Sequence, residues 1–310
     1  MEKEKKLVRT FEDDEACLII DDTVVEKQSM DENEIISWHY DNKEGRTVKG
    51  INLLSAFYSS EKFGQIMRVP IGYRIIEKTE EYKDEKSGEM KRRSPKTKNE
   101  MMQEMVWRHI QNQVKFRYFL ADSWFSSAEN MRFVDKRRKV FIFELKNNRL
   151  VTDSEEKRNK GLFERLDEGK VPEGRPVKVW IKDLRFPVLL FRQVFRNKEG
   201  TTGERFLVSN DLTLRDDQFR TLYKKRWGVE EYHKSLKQNA SIGKSPAHTE
   251  RTQSNHIFSA IYAYAKLEKL KLLTKANHFS LTTKIYMASM KAAKDAFQVL
   301  CESTQNPAFA

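Results

Sequence analysis

Short apolar runs separated by polar stretches predict a sheet in the first part of the chain. Residues 16–20 are continuously apolar, which is typical of a strand buried on both faces, and Asp21 follows directly. Residues 48–58 and 69–76 are rich in aliphatic and aromatic side chains, so we predict the second and third strands there. The polar segment at 27–47 indicates a loop or hairpin.

Helix and strand patterns alternate after these strands. Apolar spacing predicts a helix over residues 100–113, and residues 116–121 form another apolar strand. Ser126 precedes Glu129 in a capping-box pattern, which predicts the start of a second helix, and residues 140–145 predict a fifth strand. This order indicates a mixed sheet with at least one crossover connection.

The pattern changes again in the second half. Strand-like segments separated by Gly, Pro and Asn predict a β-rich insertion, with strands at 177–181, 188–195 and 205–209. Helical periodicity resumes near residue 215 and recurs at 254–273 and 283–300. We therefore predict a first core part at 1–145, the insertion at 146–215, a second core part at 216–275 and a partly helical tail at 276–310.

One helical stripe late in the chain carries charged residues beside an apolar face. At about 100° per residue, Tyr223, Arg226, Glu230 and Lys237 share this stripe, and the neighbouring face would be buried. Glu231 is turned away from the apolar face and is expected to face solvent. The alternative interpretation is an ordinary amphipathic surface helix with ion pairs.

Charge and composition narrow the class of protein. The 310 residues include 58 Lys and Arg against 46 Asp and Glu, a net charge of +12 that suits a polyanionic partner. Two cysteines exclude a disulfide framework and a cysteine zinc site, and they fit a reducing cytoplasm. No secretory signal and no apolar run of membrane-spanning length occur, so we expect no membrane association.

A strongly charged segment at 78–99 is predicted as a mobile loop. Its Lys and Arg side chains would suit a phosphate backbone, and an ordinary solvated loop is the equal alternative.

Three carboxylates stand where they could converge. Asp21 and Asp122 follow apolar strands, at sheet ends where ligands gather, and Glu230 lies at the margin of a helix core. Carboxylate oxygens suit Mg²⁺ or Mn²⁺, and two such ions roughly 3.5–4 Å apart promote in-line phosphoryl displacement. Taken singly, each Asp is also explained as a helix cap or turn former.

The charged stripe resembles a signature of bacterial insertion-sequence transposases of the DDE class. Tyr223, Arg226, Glu230 and Lys237 match the Tyr-x2-Arg-x3-Glu-x6-Lys pattern of the insertion sequence four group without a gap. Four residues at fixed spacing make a fairly specific signal.

The resemblance extends to both aspartate strands. Residues 18–23, Leu-Ile-Ile-Asp-Asp-Thr, resemble the strand with the family's first aspartate, and residues 119–124, Phe-Leu-Ala-Asp-Ser-Trp, resemble the second. They occur in the family's order, with a β-rich insertion before the glutamate. The resemblance covers roughly residues 16–273.

The resemblance implies an α/β fold with a ribonuclease-H-like mixed sheet, flanked by helices and interrupted by the β-rich insertion before the last catalytic helix. It also implies that Asp21, Asp122 and Glu230 are catalytic and bind two Mg²⁺ or Mn²⁺ ions. Asp22 is the alternative to Asp21, and we expect that both cannot point into one site because adjacent strand residues face opposite ways.

DNA is the implied partner. Tyr223, Arg226 and Lys237 would hold the terminal phosphate of the transposon end, and a dimer is expected in the synaptic complex with target DNA. In some relatives a Trp of the insertion stacks on a flipped base. Trp180 is the one Trp in the predicted insertion, and we expect it in the core.

The chain differs from the family at its N-terminal end. Relatives usually carry an N-terminal DNA-binding domain, whereas about 15 mostly charged residues precede the first-aspartate strand here. We therefore expect a truncated or split transposase. The alternatives are a catalytically silent DNA-binding remnant and a stand-alone metal-dependent nuclease.

Overall fold

The computed structural model describes residues 2–41, 45–85, 87–169, 171–196, 200–245 and 249–304. The strands are β1 (Cys17–Glu26), β2 (Ser37–Asp41), β3 (Arg46–Lys62), β4 (Gln65–Ile75), β5 (Glu80–Lys83), β6 (Met90–Arg93), β7 (Tyr118–Ala121), β8 (Val140–Leu145), β9 (Leu150–Thr152), β10 (Glu164–Arg165), β11 (Val177–Ile181), β12 (Val188–Arg196) and β13 (Thr202–Ser209). The helices are α1 (Glu2–Phe11), α2 (Lys98–Gln111), α3 (Ala128–Lys136), α4 (Glu155–Asn159), α5 (Asp216–Gln238), α6 (Glu250–Thr274) and α7 (His278–Thr304). Short 3₁₀ turns at Ser123–Phe125 and Ile242–Lys244 follow β7 and α5.

A mixed sheet forms the centre of the fold. Its strands run in the order β4-β3-β1-β7-β8, where β1, β7 and β8 are parallel and β3 is antiparallel to both of its neighbours. Helices cover both faces, with α1, α2 and α3 on one side and α5 and α6 on the other. This is the α/β, ribonuclease-H-like arrangement, and it confirms the predicted fold class.

Side-chain alternation along β1 separates two hydrophobic cores. Leu18 and Ile20 pack with residues of α1, α2 and α3, whereas Cys17 and Ile19 pack with residues of α5 and α6. All four side chains are fully buried, as expected for the continuous apolar run. Each further residue of β1 is thereby assigned to one side of the sheet.

The strands of the predicted insertion continue the central sheet. β13 pairs with β8, and β12, β11, β9 and β10 follow outward. Trp180 lies in β11 and is 8% exposed, which is the expected core position. The domain boundaries stay predictions, because a shared ladder neither defines nor excludes a separate folding unit.

The charged segment at 78–99 contains a hairpin of β5 and β6, so the prediction of a loop is wrong over these strands. Glu80 lies opposite Arg93 and Glu81 opposite Arg92 in this hairpin, which brings opposite charges together. The exposed ion pairs are Lys91 with Asp84 at 2.7 Å, Arg92 with Glu81 at 3.0 Å and Arg93 with Glu80 at 3.0 Å. Such pairs add little stability, but they offset the positive charge that was predicted to suit a phosphate backbone.

The start of α3 differs by one residue from the predicted capping box. Ser127 caps the helix, and its Oγ accepts the backbone N–H of Asn130 at 3.1 Å. Ser126 is occupied elsewhere, because its Oγ donates to the carbonyl of Ser123 at 2.8 Å within the 3₁₀ turn. The prediction of Ser126 as the cap is therefore wrong, although a helix does begin here.

The C-terminal helix α7 is anchored at its start. The carboxylate of buried Glu268 in α6 accepts a hydrogen bond from His278 Nε2 at 2.9 Å and one from the backbone N–H of Arg68 at 2.7 Å. These two hydrogen bonds connect α7 and β4 to α6. The predicted tail helix is confirmed, and it runs on to Thr304. Within the described ranges, no helix has the length and apolar character that crossing a membrane requires.

Candidate active site at the end of the parallel strands

The parallel pairing of β1 with β7 brings two aspartates together. Ile19 lies opposite Leu120 in this ladder, and the same register continued by two residues places Asp21 beside Asp122. Both acids thus follow the last paired residues of neighbouring parallel strands. Asp122 begins the 3₁₀ turn after β7, whereas Asp21 lies within β1, which continues beyond the end of β7.

Helix α5 carries a third acid to the same place. Fully buried residues such as Val229 fix the rotation of α5 against the sheet. Arg226 and Glu230 then face the strand ends, where they line a cavity of about 470 Å³ together with Asp21 and Asp122. Residues far apart in sequence therefore share one concave site.

Lysines from the last turns of α5 complete the wall on the solvent side. Lys237 and Lys234 both line the cavity and are exposed. All six predicted site residues lie in the described part of the chain, and Tyr223 is the one outside this wall. The sequence stripe thus has a buried end and an open end.

Tyr223 occupies the buried end of the stripe. It is 2% exposed, and its hydroxyl donates to Glu144 Oε2 on β8 at 2.6 Å. Burial raises the pKa of the phenol well above its ordinary value. The Arg226 guanidinium lies 5.4 Å from the Tyr223 ring centroid. Direct contact between Tyr223 and a phosphate would require its hydroxyl to leave Glu144, and this contact stays a prediction.

The two aspartates lie next to each other and are partly buried. Burial raises the pKa of Asp21 to about 7, and the charge of Asp122 adds to the increase. Burial also raises the pKa of Asp122, although the backbone N–H of Trp124 and the charge of Arg226 work in the opposite direction. Two adjacent, desolvated carboxylates are stabilised by a cation.

Arg226 supplies positive charge beside all three acids. Its Nη2 donates to Glu230 Oε1 at 3.0 Å, and the two side chains are 11% and 23% exposed. Burial by itself lowers the pKa of Arg226, but Tyr223, Asp21, Glu230 and Asp122 together raise it above its ordinary value. The guanidinium is therefore held within a largely acidic surrounding.

Asp22 lies on the other side of β1 and pairs with a helix there. Its Oδ2 is 2.7 Å from Nζ of Lys98, the first residue of α2. Asp21 lies near His233 of α5, so the two carboxylates face opposite sides of β1 as expected, although both residues border the cavity.

His233 is a cavity residue that the sequence pattern did not single out. Its side chain is 6% exposed, and its Nδ1 lies 3.8 Å from Asp21 Oδ2. It stands about one helical turn after Glu230 and two turns after Arg226, at the edge of the same stripe. A helical projection therefore contained the signal that could have identified it.

Glu231 lies outside the site, although it adjoins Glu230. It is exposed and pairs with Arg68 of β4 at 2.5 Å. This confirms the prediction that Glu231 faces solvent, and it makes Glu231 a natural control for Glu230.

The donor set fits hard divalent cations, with one rearrangement. Asp21, Asp122 and Glu230 offer carboxylate oxygens, which Mg²⁺ and Mn²⁺ prefer. In the described part of the chain, no group of three or more His, Cys, Asp and Glu side chains is already close enough to hold a metal ion. Glu230 is directed to Arg226, so it must turn from the guanidinium before all three acids can share an ion.

Two family models match the sequence. The transposase DDE domain matches residues 90–265, which include Asp122 and Glu230, and the DDE superfamily endonuclease matches residues 4–172, which include Asp21 and Asp122. Each match spans more than half of the 310 residues. A comparison with curated proteins found no match. The chain belongs to the transposase DDE domain family.

Proposed function

We propose that this chain is a DNA transposase of the insertion sequence four group, which cleaves at transposon ends and joins the 3′-hydroxyl to target DNA. The observation that carries the proposal is the shared cavity, where acids from β1, the end of β7 and α5 meet Arg226 and Lys237. The unbroken Tyr-x2-Arg-x3-Glu-x6-Lys spacing supports the group, and the net charge of +12 supports DNA as the substrate.

The acids are proposed to act as metal ligands. Asp21, Asp122 and Glu230 would hold two Mg²⁺ or Mn²⁺ ions. Such ions, when bound, activate a water or a 3′-hydroxyl and neutralise charge on the leaving oxygen of the phosphate. Partial burial of Asp21 and Asp122 limits access of bulk water to the reacting groups and strengthens electrostatic interactions there.

The basic residues are proposed to hold the DNA phosphate. The planar guanidinium of Arg226 suits bidentate binding, and exposed Lys237 adds a point charge at the open end of the cavity. A phosphate that accepts hydrogen bonds from Arg226 would replace Glu230 as its partner. Phosphate binding would thereby release the third carboxylate toward the aspartates.

Tyr223 is proposed to hold Arg226 in position for phosphate binding, from the buried end of the stripe. Its ring lies beside the Arg226 guanidinium, and its hydroxyl is held by Glu144. It would contact the phosphate directly if the bond to Glu144 opened when DNA entered.

Metal-dependent cleavage tests the triad. We expect the protein to cleave a plasmid carrying its own flanking DNA in Mg²⁺ or Mn²⁺, and Asp21→Asn, Asp122→Asn and Glu230→Gln to abolish cleavage. Glu231→Gln is the matched control, because it removes the neighbouring charge and should retain activity. Equal cleavage by Glu230→Gln and Glu231→Gln would show that the triad assignment is wrong.

A stand-alone nuclease is the second candidate, since the match to the DDE superfamily endonuclease covers Asp21 and Asp122. Joining of labelled end DNA to a supercoiled target separates the two functions, because a nuclease gives cleavage without joined product. DNA binding without any cleavage in Mn²⁺ would instead identify a catalytically silent DNA-binding protein.

Pairing of two transposon ends requires two copies of the active site. We therefore propose a dimer on DNA. Light scattering of the protein with and without end DNA measures the mass directly, and a single copy on each complex would contradict the dimer.

A further inference from the structure

A histidine at the start of α7 connects this helix to α5. His278 Nδ1 lies 3.1 Å from Oγ of Ser235 in α5, and its Nε2 donates to Glu268 of α6 at 2.9 Å. The His278 side chain is 11% exposed and that of Glu268 is 1% exposed, so this hydrogen-bonded group is largely shielded from water. Three successive helices thus meet at one imidazole ring.

The carboxylate of Glu268 supports this ring. It also accepts the backbone N–H of Arg68 in β4 and Nζ of Lys271, both at 2.7 Å. Burial by itself raises the pKa of Glu268, but His278 and Lys271 lower it below its ordinary value. Because a carboxylate only accepts hydrogen bonds, Nε2 of His278 is the donor, and Nδ1 is directed to Ser235.

Ser235 and Glu230 lie on different sides of α5. At about 100° per residue, Ser235 is about 140° around the helix from Glu230. The fully buried residues Val229, Tyr232 and Leu236 face the core on the arc between them. Apolar packing is non-directional, whereas a hydrogen bond has a preferred geometry. The bond at Ser235 therefore opposes a roll of α5 that would displace Glu230 at the other edge of the apolar stripe.

We infer that His278, acting through Ser235, is a positioning residue that fixes the rotation of α5 and so holds Glu230 at the acid cavity. The inference rests on the proposed function, because Glu230 is a proposed metal ligand. A roll of about 20° moves a side chain at a radius of about 5 Å by about 2 Å, and a misplacement of about 1 Å can cost about 100-fold in rate. His278 follows the segment 90–265 that matches the transposase DDE domain, so this support comes from outside the match.

A second contact near Ser235 is more exposed. Arg68 Nη1 pairs with Glu231 of α5 at 2.5 Å, but the Glu231 side chain is 70% exposed. Exposed ion pairs contribute little to stability. We therefore expect the shielded bond between His278 and Ser235 to fix the helix, and the loss of charge in Glu231→Gln to leave α5 in place.

Cleavage kinetics of the full chain in Mn²⁺ test the inference. We expect Ser235→Ala and His278→Ala each to lower kcat about tenfold, because the third carboxylate is displaced. KM for DNA should change less, since exposed Lys237 can still reach a phosphate. The double variant should be no slower than His278→Ala, because both changes remove the same hydrogen bond. Ser235→Thr retains the hydroxyl and should recover most of the rate.

Gln65→Ala is the matched control. Gln65 Nε2 donates to the carbonyl of Leu272 at 3.0 Å, and this bond joins β4 to α6 without involving α5. Thermal melting sets an assay temperature well below the lowest Tm of the variants. Gln65→Ala should keep the wild-type kcat, whereas a general loss of stability on this side of the fold would lower it as much as Ser235→Ala does.

Hydrogen exchange of the α5 backbone needs neither metal nor DNA. We expect exchange over residues 230–238 to be about fivefold faster in Ser235→Ala and His278→Ala than in wild type, and unchanged in Gln65→Ala.

The anchor and the proposed function fail separately. If the triad variants lose cleavage while Ser235→Ala keeps the wild-type kcat, the triad stands and the inference is overturned. If Glu230→Gln cleaves DNA normally, the proposed function is wrong, and hydrogen exchange decides the anchor. Faster exchange in Ser235→Ala would then support the hold of α7 on α5, and wild-type exchange would overturn it.

Discussion

Arg226 Nη2 lies 3.0 Å from Glu230 Oε1, one helical turn along α5. The pair sits at the edge of a cavity that also contains Asp21 and Asp122. An isolated surface ion pair of this spacing would add little to the stability of the folded protein. The Arg226–Glu230 pair, however, is largely buried and has two further acids nearby. The guanidinium therefore occupies the position of a counterion for the acidic cluster.

Removal of this guanidinium should favour metal binding. We expect Arg226→Gln to bind Mn²⁺ about tenfold more tightly than wild type without DNA, because Glu230 loses a charged hydrogen-bond partner. Glu230→Gln should bind Mn²⁺ more weakly. Isothermal titration calorimetry measures both, and Lys234→Gln controls for the loss of one positive charge at the same cavity. Weaker Mn²⁺ binding by Arg226→Gln would contradict competition between the arginine and the metal.

The largely desolvated carboxyl of Asp21 should make stability depend on pH. Its pKa is about 7 in the folded protein against 3.8 ordinarily, so the folded state binds this proton more tightly. The contribution of Asp21 to stability is present below about pH 4 and is lost as the pH rises through about 7. In EDTA we expect Asp21→Asn to exceed wild type in Tm by a few degrees at about pH 8 and by less at about pH 5. Melting curves across this range measure the difference, and an equal gain at both pH values would contradict the raised pKa.

The buried hydroxyl of Tyr223 should matter for stability more than for DNA affinity. We expect Tyr223→Phe to lower the free energy of unfolding by about 1 kcal/mol, because Glu144 loses its hydrogen-bond donor. DNA affinity should fall less than in Arg226→Gln, since the hydroxyl already has a partner within the protein. Urea unfolding and fluorescence anisotropy measure the two effects. A larger loss of affinity than in Arg226→Gln would instead indicate a direct phosphate contact.

The closeness of β1 and β3 at Gly50 should make this position intolerant of a side chain. A Cβ at Gly50 would overlap the backbone carbonyl of Val25, on the stretch of β1 that follows Asp21. We expect Gly50→Ala to lower the free energy of unfolding by about 1–3 kcal/mol. Gly243→Ala is the control, because its Cβ would meet a side-chain atom of the same Val25 at an ordinary 4.0 Å. Equal urea midpoints for the two variants would contradict the steric argument.

The local residue pattern predicted an element correctly where the residues of that element alone determine its structure. The continuous apolar run before Asp21 gave a strand buried on both faces, and the strand at 140–145 was predicted with its observed ends. The prediction at Ser126 failed by one residue, because the 3₁₀ turn after Asp122 uses that hydroxyl. The hairpin of β5 and β6 was missed, since cross-strand pairing of charges has no apolar signal.

The sequence by itself determined the order of the main core strands and helices and the charged stripe of α5, because both follow from residue spacing within one element. It also separated Glu230 from Glu231 by helical rotation. The tertiary structure decided the rest. Parallel register placed Asp21 beside Asp122, and packing of α5 buried Tyr223 against Glu144. These relationships join residues distant in the chain, and their geometry is fixed by long-range pairing and burial that no local pattern contains.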